Sequence, residues 1–191
     1  RPSMLLLCAW IADEAEAVRQ KNQLCRWGAI VELAHMTSLI HDDVIDQSAL
    51  RRGRETLQKK FGNPVAVYAG DYLLARLLRV VLEETNRDIS LELTRAVERM
   101  CRGEIAQFRF LYQPRIPISQ YEWNIAGKTG MLFEASCKIG AMAVQKTGAA
   151  AEEFAQIGQK IGRAFQFRDD LMDFISNEQK EGKQVGKDFK E

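Results

Sequence analysis

Six aspartates in two identical clusters carry the strongest chemical signal in this chain. Asp42, Asp43 and Asp46 form one DDxxD motif, and Asp169, Asp170 and Asp173 form a second more than 120 residues later. On an α-helix four residues turn about 400°, so Asp42 and Asp46 lie about 40° apart on one face. Asp43 and Asp46 are neighbours at i,i+3. Carboxylates this close repel by about 4 kcal/mol per pair at ~4 Å and an effective dielectric near 20. Negative charge in a last helical turn also opposes the helix dipole. A divalent cation reverses the sign of that interaction. Mg²⁺ typically takes one or two protein carboxylates, keeps some waters and fills its other positions with substrate phosphate oxygens. Either motif alone reads equally well as a solvated acidic helix end. Two copies, the second behind the apolar run 161–167, suit two helices facing each other across a cavity, with several metal ions holding one polyanion.

Positive charge gathers at Arg51-Arg52-Gly53-Arg54, beginning five residues after the first motif. The planar arginine fork binds phosphate oxygens bidentately, although such a run taken alone is a solvated loop. His35 stands seven residues before Asp42. That spacing returns it to the same helix face two turns away, where a phosphate donor could sit; alone it reads as a packed or capping histidine. His41 reads as structural, paired with a neighbouring carboxylate.

The elements that must position these residues are helices. Four prolines interrupt 191 residues, and alanine, leucine, glutamate and arginine dominate. Helices are expected over 4–20 and 23–46, then a polar, arginine-rich loop over 47–62. Asn63-Pro64 is a start signal, an N-cap followed by proline, for a helix running to about residue 85. Asp88 is expected to cap the next helix, toward Tyr112, and Pro114 and Pro117 mark a linker. Ser119-Gln120-Tyr121-Glu122 fits a capping box for a long helix toward Lys146, with Gly127 and Gly130 as weak points. The last helix, 152–176, carries the second motif, and 182–188 reads as a basic loop. No stretch alternates as a strand does.

Bulk properties bound the function. With 46% hydrophobic and 28% charged residues the chain can build one sizeable core. A net charge of +1 gives no field that points to nucleic acid. Cys8, Cys25, Cys101 and Cys137 are widely spaced, which suits thiols in a reducing compartment rather than a disulfide frame or zinc site. The apolar run 4–12 is followed by Asp13, Glu14 and Glu16, which suits a helix better than a cleaved leader. No run reaches the length of a membrane span.

Together these residues resemble the trans-isoprenyl diphosphate synthases, the all-α polyprenyl synthase family, over essentially the whole chain. The resemblance rests on an ordered set: Arg1-Pro2, His35, the first DDxxD with Arg51-Arg52-Gly53, Gly70-Asp71, Lys128-Thr129, Phe165-Gln166 before the second DDxxD, and Gly182-Lys183-x-x-Gly186. Terpene cyclases share the fold but usually replace the second aspartate motif with one of the Asn/Asp-Ser/Thr-Glu type, so the intact motif favours chain elongation. The resemblance implies an antiparallel helical bundle of the isoprenoid synthase type with a central cavity, a single domain over 1–191. It implies a cytoplasmic enzyme, homodimeric or heterodimeric, with no nucleic-acid partner and no transmembrane segment, whose product could require a membrane surface.

The implied reaction ionises an allylic diphosphate, lets isopentenyl diphosphate attack the carbocation, and ends with loss of a proton. The resemblance makes Asp42, Asp46 and Asp169 the direct Mg²⁺ ligands, with Asp43, Asp170 and Asp173 as ligands or their supports, and several ions bridging the motifs and the diphosphate. Arg51, Lys128 and Lys183 match residues that hold the allylic diphosphate. Arg1, His35 and Arg52 match the isopentenyl diphosphate site. Thr129 and Gln166 match positions whose oxygens face the carbocation, and with Lys128 they form the catalytic set. No side-chain nucleophile is expected. Phe165, Phe167 and Phe174 read as core.

The family's farnesyl-length members carry bulky aromatics at the positions of Thr37 and Ser38, closing the floor of the chain tunnel. Here both are small, as is Ala34, which implies a medium- or long-chain product beyond C15, with Tyr72 or Met36 as candidates for the next block. Two departures stand out: the family's Gly-Gly-Lys before Arg1 is absent, and the family continues past Glu191, so the chain reads as a fragment lacking native N- and C-terminal segments. The alternatives are a terpene cyclase or head-to-head synthase on the same fold, and a non-catalytic regulatory subunit of a heteromeric synthase.

Overall fold

Alanine, leucine and long charged residues leave this backbone few alternatives to helix. A computed structural model, which describes residues 1–107 and 116–175, is built of helices with one small hairpin. The first helix, α1 (Pro2–Ala12), has proline in its first turn. It stops at Asp13, which is extended and whose carboxylate caps α2 (Glu14–Arg19) by accepting from the Glu16 amide at 3.0 Å. The single helix expected over 4–20 is therefore broken, because Asp13 gains a cap and an ion pair with Lys146 at 3.4 Å. Next, α3 (Lys21–Ile45) carries His35 and the first aspartate motif.

The stretch expected as a polar loop is more ordered than that. Arg52 and Gly53 both have left-handed backbone, φ 51° and 74°, as a two-residue hairpin turn requires. They join β1 (Leu50–Arg51) to β2 (Arg54–Glu55), pairing Arg51 with Arg54. Buried Thr56 then donates to the Ser48 carbonyl at 2.5 Å and caps α4 (Leu57–Phe61). The following α5 (Asn63–Leu82) begins at Asn63 itself, with Gly62 at the cap position, so Asn63 is not the N-cap. In α6 (Arg87–Gln107) the cap is Asn86, which accepts from the Ile89 amide at 3.2 Å, and Asp88 lies within the first turn.

After Pro117, α7 (Ile118–Ile125) starts without a side-chain cap, so the expected capping box does not form. The weak points at Gly127 and Gly130 become a π-helical turn (Ala126–Gly130), followed by α8 (Met131–Ala143). Finally α9 (Ala149–Ile175) carries the second motif. Central in the bundle, α8 has all residues from Met131 to Cys137 buried, with α1, α6 and α9 packed round it. Leu5, Trp27, Val31, Leu93, Leu132 and Ile139 are at most 2% exposed, and each contributes about 1.5–3 kcal/mol by burial.

Two contacts place the site. A Cβ at Gly162 of α9 would lie 2.8 Å from the Gly130 Cα, so only glycine lets α9 pass this close to the π turn. On the other side α3 and α5 run antiparallel, tied by Arg26 with Glu84 at one end and by His41 Nε2 with Asp71 Oδ1, 3.2 Å apart, at the other. Among the described residues no helix is long and apolar enough to cross a membrane, and the four cysteines are free thiols.

Candidate active site

The first motif spans the last turn of α3. Asp46 is its C-cap and keeps helical backbone, so Asp42 and Asp46 retain the shared face that the spacing implies. Asp43 turns elsewhere. It is 7% exposed, and its Oδ1 accepts from both Nε and an Nη of Arg51, each at 2.8 Å. The hairpin that supplies Arg51 is thus docked on the motif it follows. Arg52, at its tip, is exposed and has the left-handed φ of 51°, which costs a non-glycine residue about 1–2 kcal/mol. Strain of this kind persists where the surroundings over-determine it, as at ligand clamps.

A positively charged wall lies beside the motif. The Arg1 guanidinium is 2.6 Å from His35 Nε2 and 4.9 Å from the centre of the Phe133 ring. It lies within electrostatic reach of Arg52 and of Asp169 in the second motif; burial lowers its pKa, while Glu32 and Asp169 oppose that. Burial first, then surrounding positive charge led by Arg1 and including the N-terminal ammonium, Arg52 and Arg51, pushes the His35 pKa down to about 3. His35 is therefore neutral near pH 7. Arg1 Nε is buried with no hydrogen-bond partner, a donor left over in a wall built of donors.

The second motif is organised by hydrogen bonds. Thr129, in the π turn, donates to Gln166 Oε1. Gln166 Nε2 donates to Asp170 Oδ1 at 2.7 Å, and the Tyr121 hydroxyl donates to Asp170 Oδ2. π turns recur at functional sites, and this one sets Thr129 against Gln166. Behind them buried Glu134 of α8 accepts from Arg99 of α6 at 3.1 Å and from Gln159 of α9 at 3.2 Å; burial raises its pKa against the pull of Arg99. The side chains of Lys128 and Asp173 and the whole of Lys183 lie outside the described residues, as do the side chain of Phe174 and the basic loop 182–188. Phe165 and Phe167 are 40% and 43% exposed, not core as expected. His41 has a carboxylate partner, but on α5 rather than in its own motif.

The donors on the two motifs are hard carboxylate oxygens, which suit Mg²⁺ or Ca²⁺. Among the described residues no three His, Cys, Asp or Glu side chains converge closely enough to hold an ion by themselves. An ion shared by both motifs would need further oxygens, of the kind a diphosphate supplies.

Thr37, Ser38 and Ala34 lie three to seven residues before His41 on α3, on the face that His41 turns to α5. Thr37 is buried with its hydroxyl on the Leu33 carbonyl at 2.9 Å, and the Ser38 hydroxyl is on the His35 carbonyl at 2.8 Å. Interpolating between the two α3–α5 ties sets Ser38 level with Leu74. There begins an apolar cavity of about 70 Å³ between α5 and α6, lined by Leu74, Leu77, Val81, Leu93 and Val97 among others. Tyr72 and Met36, the expected next blocks, are 65% and 50% exposed and do not line it. Tyr121 was not anticipated; only its place seven residues before Lys128, two turns back along one helical stretch, hinted at it.

The chain matches the family model described as polyprenyl synthetase over residues 1–191. It is 40% identical over 189 residues to heptaprenyl diphosphate synthase component 2 of Geobacillus stearothermophilus, covering 99% of this chain and 58% of that protein. The fold superposes on a polyprenyl synthase of Caulobacter crescentus complexed with calcium and isoprenyl diphosphate, with a TM-score of 0.89 at 31% identity, over 99% of this chain and 56% of the other. A heptaprenyl diphosphate synthase of Staphylococcus aureus gives a TM-score of 0.89 at 33% identity, over 99% and 58% of the two chains. The chain spans about half the length of the curated relatives it matches.

Proposed function

The chain belongs to the polyprenyl synthetase family, and on that premise we propose that it condenses isopentenyl diphosphate with an allylic diphosphate, with divalent metal, to make a polyprenyl chain longer than C15. The observation that carries this reading is the position of Arg1, which meets His35 and Phe133 and feels both Arg52 and Asp169. One half-buried guanidinium thus spans the basic wall beside the first motif and the acidic face of the second.

In this reading Asp42, Asp46 and Asp169 would hold Mg²⁺ together with the allylic diphosphate. Bound Mg²⁺ supplies Lewis-acid stabilisation of charge on the leaving diphosphate. Arg51, already oriented by Asp43, adds a preorganised donor to the same group, joined by Lys128 and Lys183. Arg1, Arg52 and neutral His35 take isopentenyl diphosphate, and the strained backbone of Arg52 aims its side chain. Thr129 and Gln166 present oxygen dipoles toward the allylic carbon, where positive charge develops. No side chain acts as a nucleophile.

Product length follows from the small residues at 34, 37 and 38, which lie on the face of α3 that meets α5. The growing tail passes Ser38 and enters apolar space. Each buried CH₂ contributes about 0.8 kcal/mol. The heptaprenyl names of two relatives support this length. We also place the chain in a dimer, in a reducing, cytoplasmic setting that suits its free thiols. The word component in the Geobacillus relative's name favours, as a second reading, a heteromer with another polypeptide.

The test is mass analysis of products from purified protein with Mg²⁺, isopentenyl diphosphate and each of several allylic primers. Polyprenyl diphosphates beyond C15, formed only with both substrates, are expected. Pyrophosphate release from the primer alone would instead indicate a cyclase. In a heteromeric complex, Asp42→Ala and Asp169→Ala must abolish turnover; turnover left intact would put catalysis in the other chain.

A further inference from the structure

Asp170 differs from its neighbour Asp169. Consecutive residues on a helix point about 100° apart, and here the two carboxylates serve different surroundings. Asp169 lies toward Arg1. Asp170 has both oxygens engaged by protein donors, Oδ1 by Gln166 and Oδ2 by the Tyr121 hydroxyl. These bonds have one sense: Thr129 donates to Gln166, Gln166 donates to Asp170, and Tyr121 donates to Asp170 from the other side. An ionised carboxylate only accepts, so the sequence of donors ends there.

That ending fixes an orientation. A glutamine amide has a donor end and an acceptor end of nearly equal shape. With Asp170 taking the Nε2 end, Oε1 must face Thr129. Were the carboxylate to swing away, the amide could turn over and present N–H where the oxygen had been. Under the proposed reaction this would put a partial positive charge toward an allylic cation. What keeps the carboxylate from swinging is its second bond, to Tyr121. The tyrosine is itself held without its hydroxyl: its ring lies 5.5 Å from that of Phe167, and Glu122 beside it pairs with Arg163 of α9 at 3.1 Å. The hydroxyl can therefore be removed without undocking α7.

Resting on the proposed function, we infer that Tyr121 is a positioning residue: its hydroxyl clamps Asp170, and Asp170 sets the Gln166 amide with oxygen toward the reacting carbon. Asp170 thereby supports the second motif through Gln166.

Tyr121→Phe in the purified protein tests this by two independent readouts. The side-chain amide of Gln166, followed by NMR with labelled glutamine, should show one protected proton in the wild type. That protection should fall in Tyr121→Phe and vanish in Asp170→Asn. In turnover, kcat should fall about 10- to 100-fold, the range for losing one hydrogen bond to a charged group. KM for isopentenyl diphosphate should change less than about twofold, because a bond that acts only on the reacting centre moves kcat alone, and the melting temperature should fall by no more than about 2–8 °C, the effect of one lost hydrogen bond. An unmoved Gln166 amide overturns the inference whether or not the protein is active. So does an unchanged kcat, or a fall in kcat matched by a larger drop in melting temperature and altered KM for both substrates. A wild type without turnover refutes the proposed function instead, and the amide result still decides the hydrogen-bond clamp.

Discussion

Replacing Ser38 by phenylalanine should shorten the product. Ser38 is half-buried one turn before Asp42, on the α3 face that meets α5, and its hydroxyl bonds only its own helix at His35. Removing that bond changes little. Adding a phenyl ring changes much, because it sets a bulky group on the α3 face that meets α5, at the level of Leu74, where the small residues 34, 37 and 38 leave the proposed path open. The ring would close the entrance past Leu74. A five-carbon isoprene unit denied this burial forgoes about 4 kcal/mol, at ~0.8 kcal/mol per CH₂. At about 1.4 kcal/mol per factor of ten, each extension past the block becomes several hundred to a thousand times less favourable. Chromatography and mass analysis of the dephosphorylated products would show short chains accumulating, while the first condensation proceeds at a rate close to wild type. A Ser38→Phe product distribution matching the wild type would refute the path.

Three further outcomes follow from the same geometry. Arg52→Asn should leave stability unchanged or raise it by up to about 1 kcal/mol, since asparagine tolerates left-handed backbone better, yet raise KM for isopentenyl diphosphate about 10- to 100-fold; a mutant that binds normally would make the turn's strain irrelevant to ligand. His35 should stay neutral to well below pH 6 and contribute stability fully present above about pH 6.5 and lost as pH falls toward 3, because the unfolded chain binds the proton that the folded one refuses. Its NMR titration, separated from that of His41 by a His41→Gln variant, should shift upward when a diphosphate neutralises the nearby arginines; titration near 6.5 without ligand would contradict the arrangement. Glu134→Ala should cost about 1–3 kcal/mol in urea unfolding, the range for losing hydrogen bonds to a charged group, here those from Arg99 and half-buried Gln159, and a neutral result would show that these bonds do not hold α6 and α9 to α8.

Much of the site was legible because it depends on helical spacing, which a sequence states directly. Asp42 and Asp46 share a face because four residues separate them, and Gly127 and Gly130 announced the break that became the π turn. Less legible was whatever depends on partners distant in the chain. Asp13 looked like any acidic helix residue until Lys146 and the Glu16 amide gave it reasons to cap. The 47–62 stretch looked like a loop because its order comes from Thr56 reaching back to Ser48 and from an arginine in a backbone conformation that its type disfavours. Asp43 and Asp170 matched their motif neighbours in type and spacing, and only three-dimensional contact shows that Arg51 holds the one and Gln166 and Tyr121 the other.

The central claim is that both aspartate motifs hold one diphosphate through divalent metal. Calorimetric titration of the purified protein with an uncleavable allylic thiodiphosphate measures this directly. Binding is predicted to require Mg²⁺ and to be lost in Asp42→Asn and in Asp169→Asn separately. Equal binding without metal, or full binding in either variant, would contradict the account.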